Sequence, residues 1–149
     1  MRAAVHPRYG PPEVVRVTEV PRPTVRDDEV LVRIHVTTVN LTDCGFRAAK
    51  PFVARFFTGL WRPRVTVMGN EFAGEVVARG GAVRSFEVSD RVFGYNEGPF
   101  AAHAEYLAIS EGGSLSTIPD GVTFVEAAAS TEGAHYAPSF IRAAKVRAG

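Results

Sequence analysis

Cysteine occurs once in this 149-residue chain, at Cys44, so no disulfide can form within it. The N-terminus, MRAAVHPRYGPP, lacks the apolar core of a secretory leader, and the two absences together point to a reducing, cytoplasmic compartment. No stretch approaches the roughly 20 apolar residues that a membrane helix needs. Neither sign of charge is in excess: 17 Lys and Arg stand against 16 Asp and Glu, a formal +1, which gives no sign of a nucleic-acid or membrane partner. A Gly-x-Gly-x-x-Gly turn is absent as well. The GNEFAG stretch at 69–74 is no copy of it, because the spacing is wrong and it runs into a strand pattern instead of opening a helix.

What is present is the composition of an ordinary globular domain, 46% hydrophobic and 22% charged, in a chain long enough for one real core and hardly for two. Most of it reads as strands. In EVLVRIHVT, residues 29–37, Val30, Val32, Ile34 and Val36 fall on one face and Leu31, Arg33, His35 and Thr37 on the other, the period of a half-buried strand. Similar short apolar runs occur at 14–18, 71–78, 91–94 and 104–109. Turn residues separate them at Gly10-Pro11-Pro12, Pro21-Arg22-Pro23, Gly80-Gly81, Ser89-Asp90, Gly98-Pro99 and Gly112-Gly113. Many short strands so punctuated predict a barrel or sandwich.

Two regions break that rhythm. Residues 41–60 offer a short helical turn stopped by Pro51, then a Phe-rich segment ended by Gly59. From Thr123 the chain turns Ala-rich and helical, and the Thr-x-x-Glu spacing of Thr123 and Glu126 is that of a capping box. Pro138 predicts a kink or a break between two shorter helices. Arg142, Lys145 and Arg147 lie where a helix C-terminus favours cations, and Gly149 is a plausible stop. A boundary therefore falls near residue 122, between a strand-rich part, 1–122, and a helical part, 123–149. A helix followed by glycine normally hands the chain to another element, so the sequence reads as cut.

Six blocks, EVLVRIHVTTVNLTD, VMGNEFAGEVVARG, SFEVSDRVFGY, AAHAEYLAI, IPDGVTFVEAAA and IRAAKVRAG, occur in an order and spacing that resemble one family. It is the medium-chain dehydrogenase/reductases, in their zinc-independent quinone oxidoreductase-like branch, and the resemblance runs over almost the whole chain. It implies a mainly β fold: a GroES-like, partly open β-barrel with short helices. The closing helical segment would lead into a Rossmann domain that this chain does not contain, KVRAG matching the residues just before its first strand. It also implies an enzyme, in full-length form, that reduces quinones or conjugated enones with NADP (or NAD) as cofactor and acts as a homo-oligomer; the 149 residues alone would be inactive. A GroES-like barrel used as a binding or assembly module, without cofactor chemistry, is the alternative. Co-chaperonins of that fold are shorter and do not account for the Asn-x-Thr-Asp and Gly-Asn-Glu stretches. A reading frame continuing past Gly149 into a strand and a Gly-rich turn would exclude it.

Zinc-dependent members of the family hold their metal with a Cys in a Cys-x-Thr/Ser-Asp stretch, a His in a Gly-His-Glu turn and a third, more distant ligand. The resemblance places Asn40 at the Cys position, followed by Thr42 and Asp43, and Asn70 at the His position, followed by Glu71. It sets Thr131, with Glu132 beside it, roughly at the third. Zinc favours thiolate, imidazole or carboxylate, so two amides and a hydroxyl imply no zinc. An amide needs no deprotonation and could orient a carbonyl or the nicotinamide. The resemblance thus implies catalytic roles for Asn40, Thr42 and Asn70, substrate contact at Tyr95, and cofactor contact at Asn40, Thr131 and Glu132. Plainer readings stand beside these: Asn40 and Asn70 as turn amides, Thr42 as a helix cap, Tyr95 as core or rim, Asp43 and Glu71 as residues that hold the fold. Cys44 reads as a small buried apolar side chain. His6, His35, His103 and His135 have no ligand-like spacing, and only His135 lies near the expected cleft.

Overall fold

The computed structural model describes residues 1–96 and 100–145, apart from the side chains of Ala54, His135 and Ser139. Along these, the apolar runs read from the sequence become β2 (Arg16–Glu19), β3 (Glu29–Thr37), β4 (Glu71–Arg79), β5 (Arg91–Tyr95) and β6 (Tyr106–Ser110), and two further strands, β1 (Arg2–Val5) and β7 (Ser114–Thr117), lie outside those runs. The helices are α1 (Leu41–Ala48), α2 (Arg55–Thr58) and α3 (Phe124–Ala143). Five strands pair antiparallel in the order β6-β3-β4-β5-β7, while β1 and β2 pair separately.

Connectivity dictates the curvature of the sheet. β6 ends at Ser110 and β7 begins at Ser114, yet the two occupy opposite edges of the five-stranded sheet. Four residue steps reach at most about 14 Å, whereas a flat sheet would set its outer strands roughly 19 Å apart. The sheet must curl until its edges approach, which gives the mainly β, partly open barrel the resemblance implies. Val30, Val32, Phe72, Val76, Val92 and Leu107 fill its interior. Truncating Phe72, fully buried there, would cost about 3–5 kcal/mol.

The alternation in β3 holds only in part. Val30, Val32 and Ile34 do face the barrel core, but Val36 does not share their face. Ile34 lies opposite Gly74 and Val36 opposite Ala73, so β3 carries one extra residue between them. That bulge turns Val36 to the other face, where it packs with Ala73, Ile118 and Ala127 beneath α3. The run at 14–18 divides into a 3-10 turn, Pro12–Val14, and β2.

Helix α3 starts as the capping signature predicts: the Thr123 side chain accepts from Glu126 N at 3.2 Å and Glu126 accepts from Thr123 N at 2.9 Å. Ala127 and Ala128 let it lie close on the sheet. Pro138 does not divide it, contrary to the sequence reading of two shorter helices; α3 runs as one helix from Phe124 to Ala143. The residue is exposed, so the carbonyl deprived of its donor can turn to water, and the clash is absorbed without ending the helix. Arg142 lies in the last turn. Arg147, Gly149 and the Gly98-Pro99 turn lie outside the described residues. Among those described, no helix is long and apolar enough to cross a membrane.

Candidate functional site

Asn40 sits at the junction of β3 and α1, in extended conformation, as the N-cap of α1. Its Oδ1 accepts from Asp43 N at 3.2 Å, while Asp43 Oδ2 accepts from Asn40 N at 3.0 Å, a reciprocal cap on two otherwise orphaned donors. Asp43 Oδ1 also accepts from Gly69 N at 3.2 Å. One buried carboxylate thereby ties the start of α1 to the turn that carries Asn70. That turn needs its glycine: Gly69 has φ +89°, and a Cβ there would lie 2.5 Å from His103 N.

The two asparagines meet. Asn40 Nδ2 donates to Asn70 Oδ1 at 3.1 Å and to Glu71 Oε2 at 3.0 Å. Glu71, itself buried, also accepts from the Thr38 hydroxyl and, on Oε1, from the backbone N–H of Glu132. Thr42 Oγ1 donates to Glu132 Oε1 at 3.2 Å. Strand β3, the cap of α1, strand β4 and helix α3 are thus joined through one polar cluster. Both donors of the Asn40 amide are engaged. Asn70 is 0% exposed, and its Nδ2 has no hydrogen-bond acceptor among the described residues, so it is the amide with a donor to spare.

Tyr95 is 7% exposed and does not line the cleft beside Asn40. Burial, the larger effect, pushes its phenol up to about 12; the Asn70 amide favours the phenolate and opposes this. Thr131 is not brought to the asparagines: its Oγ1 donates to Ala127 O and Ala128 O within α3, and it lines a separate hollow with Phe93 and Leu115. Cys44 is exposed, not buried as its residue type suggests, because α1 turns Asp43 inward. It lines a hollow of about 700 Å³ with Leu41, Thr42 and Phe46. Phe46 packs against Phe100 with centroids 4.0 Å apart and the rings tilted by 48°, whereas Phe56 and Phe57 stand exposed. The His135 side chain lies outside the described residues.

Over the cluster opens a cleft of about 580 Å³, lined by Thr38, Asn40, Glu71, Glu132, Tyr136 and Phe140, among others. Thr38, Tyr136 and Phe140 did not emerge from motif reasoning, though a signal existed: Glu132, Tyr136 and Phe140 are spaced by four, which sets them on one helix face. Among the described residues, no group of three or more His, Cys, Asp or Glu side chains is placed to hold a metal ion.

Comparison with known proteins bears on this arrangement. Residues 26–130 match the model of the alcohol dehydrogenase GroES-like domain. The chain is 35% identical over 121 residues to a quinone oxidoreductase of Pseudomonas aeruginosa, covering 81% of this chain and 34% of that protein. It is 31% identical over 136 residues to the chloroplastic NADPH-dependent alkenal/one oxidoreductase of Arabidopsis thaliana, covering 86% of this chain and 33% of that one. The quinone oxidoreductase structure from Coxiella burnetii superposes with a TM-score of 0.89 at 26% identity, over 100% of this chain and 46% of that one. The chain spans about a third of the length of these curated relatives.

Proposed function

We propose, since this chain belongs to the alcohol dehydrogenase GroES-like domain family, in the quinone oxidoreductase-like branch of the medium-chain dehydrogenase/reductases, that it is the catalytic-domain portion of a longer enzyme. That enzyme reduces quinones or conjugated enones with NADPH, without zinc, in the cytoplasm and as a homo-oligomer. The observation that carries the reading is the Asn40–Asn70–Glu71 cluster, in which Asn40 and Glu71 line an open, partly aromatic cleft and Asn70 is buried behind them. The relatives' names support the substrate class and the cofactor.

The donor set does not suit zinc. Asn40 and Asn70 are neutral amides bonded to each other, and the Thr131 hydroxyl is turned into its own helix. None of the three offers the thiolate, imidazole or carboxylate that displaces the water of the metal. The same residues suit a nicotinamide or a conjugated carbonyl, because a buried amide N–H without an acceptor is stabilised by any oxygen brought to it. Bound NADPH supplies the hydride. Asn70 Nδ2, buried behind Asn40 and Glu71, would orient the accepting oxygen if that oxygen reaches the cluster; Asn40 and Glu71 hold the Asn70 amide in the orientation that leaves Nδ2 without an acceptor among the described residues. Thr42, fixed by Glu132, would help to position the ring. Tyr136 and Phe140, which line the cleft from α3, would shield the reacting face from water once the cofactor is bound. A quinone or enone accepts hydride through its own conjugation, so no Lewis acid is required of these residues.

The test is steady-state consumption of NADPH by the full-length protein against a quinone, an enone and a simple ketone, with and without Asn70→Ala. Turnover confined to the conjugated acceptors and lowered at least tenfold by the substitution is the expected result. Equal turnover of the simple ketone, or an unchanged rate in the variant, overturns the reading.

A further inference from the structure

We infer that the segment between α1 and β4 is a docking finger for an anionic lipid surface. The near-neutral charge of the whole chain conceals a local imbalance: residues 44–70 contain Arg47, Lys50, Arg55, Arg62 and Arg64 and not one Asp or Glu. The same stretch carries the most exposed aromatic side chains, Trp61 at 86% and Phe57 at 79%, with Phe52, Phe56, Val53 and Leu60 also out in solvent. Aromatic rings and aliphatic side chains interleaved with cations are what an acyl–headgroup boundary receives: rings enter the interface while Arg and Lys reach the phosphates.

The finger is held in place rather than loose. The Tyr9 hydroxyl bonds Thr58 Oγ1 at 2.7 Å and Gly59 O at 2.8 Å, pinning its middle to the N-terminal part of the chain. Arg64 N donates to Thr58 O at 2.8 Å. Gly59 makes the reversal possible, with φ +125° and no room for a Cβ, which would lie 2.0 Å from Arg62 O. The cations divide by role. Arg47 donates to Gly10 O, and Arg55 lies over the Tyr9 and Phe52 rings. Lys50, Arg62 and Arg64 are exposed and enter no ion pair among the described residues, so they remain available to a partner's anions. A second copy of this segment would set like charges against each other. A nucleic acid would satisfy the cations but offer no hydrocarbon to Val53 and Leu60. An anionic bilayer meets both demands.

The experiment is co-sedimentation of the chain with phosphatidylcholine vesicles, plain or carrying about 30% phosphatidylserine, read alongside the emission of Trp61, its only tryptophan. We expect at least about fivefold more protein on the anionic vesicles, release by added salt, and a blue shift of Trp61 on binding. Phe57→Ser with Trp61→Ser should abolish binding to both vesicles; Arg62→Glu with Arg64→Glu should abolish the anionic preference. The altered side chains are solvent-exposed, and unchanged circular dichroism verifies that folding is intact. The inference is overturned if Trp61 emission does not move, if the aromatic variant binds as the parent does, if RNA binds better than vesicles, or if Trp61 mediates a dimer instead.

Discussion

The side-chain amide of Asn40 donates to that of Asn70 across 3.1 Å, although 30 residues separate them in the chain. The contact makes the two amides unequal. Asn40 gives one proton to Asn70 and one to Glu71 while its oxygen caps α1, so its side chain is committed to structure. Asn70 receives and keeps its own donor.

The two alanine variants should therefore differ. Removing an Asn cap costs about 0.5–2 kcal/mol, so Asn40→Ala should lower the melting temperature by several degrees as well as reduce activity. Asn70→Ala in the full-length enzyme should cut kcat/KM at least tenfold, roughly 1.4 kcal/mol of transition-state stabilisation. Kinetics and thermal melts on the same two proteins check the split. Full activity in Asn70→Ala beside a strong loss in Asn40→Ala would reverse the assignment.

Zinc should be absent after dialysis, at well under one atom per chain by elemental analysis, because the positions of Asn40, Asn70 and Thr131 lack anionic or imidazole donors. Restoring Asn40→Cys with Asn70→His should not yield an alcohol dehydrogenase. Thr131 Oγ1 stays bonded to Ala127 O and Ala128 O, and the nearby Glu71 carboxylate is already engaged by the Thr38 hydroxyl and the Glu132 N–H, so neither is free to serve as the third ligand. Zinc-dependent oxidation of a simple alcohol by the double variant would refute this.

Much of this was legible in the sequence. The barrel class followed from short strands between Gly and Pro turns, and the start of α3 from Thr123 and Glu126. The cap at Asn40 is equally legible, since Asn40 and Asp43 repeat the spacing of Thr123 and Glu126. What could not be read was non-local. Val36 changed face because one extra residue entered the β3 ladder opposite Gly74 and Ala73, which period counting cannot see. β1 and β7 are four residues each with little β-branched content, and their pairing partners alone make them strands. The exposure of Cys44 is set by helix phase, whereas residue type predicts only average burial.

The 149 residues alone should not bind NADPH with micromolar affinity, because the backbone donors of a Gly-rich turn at a helix N-terminus, which supply most of a pyrophosphate site, are not encoded in them. They should also self-associate at high concentration through α3, where Val125, Phe140 and Ile141 are exposed. Titration calorimetry tests the first and sedimentation velocity the second. Micromolar binding, or a strictly monomeric profile, contradicts the respective half.

Stability should fall at both ends of the pH scale, through two different residues. His6 is buried, with Nδ1 against Thr66 O at 3.0 Å. Burial, the largest cause, lowers its pKa below 6.5, the nearby Arg47 adds to this, and the Thr66 bond opposes it. The folded state thus binds fewer protons at this ring than the unfolded chain, and its stability is complete above about pH 6.5 and declines as pH falls through the lowered value. Tyr95 behaves oppositely. Its pKa is pushed up to about 12 from 10.0, so the folded state keeps a proton that the unfolded chain gives up, and stability declines as pH rises from about 10 towards 12. Denaturation midpoints measured across pH should show both flanks, with His6→Gln flattening the acid one and Tyr95→Phe the alkaline one. Ultraviolet titration gives a second readout: one of the four tyrosines should ionise late, and that late step should vanish in Tyr95→Phe. A late step that survives the substitution would assign the buried phenol to another residue.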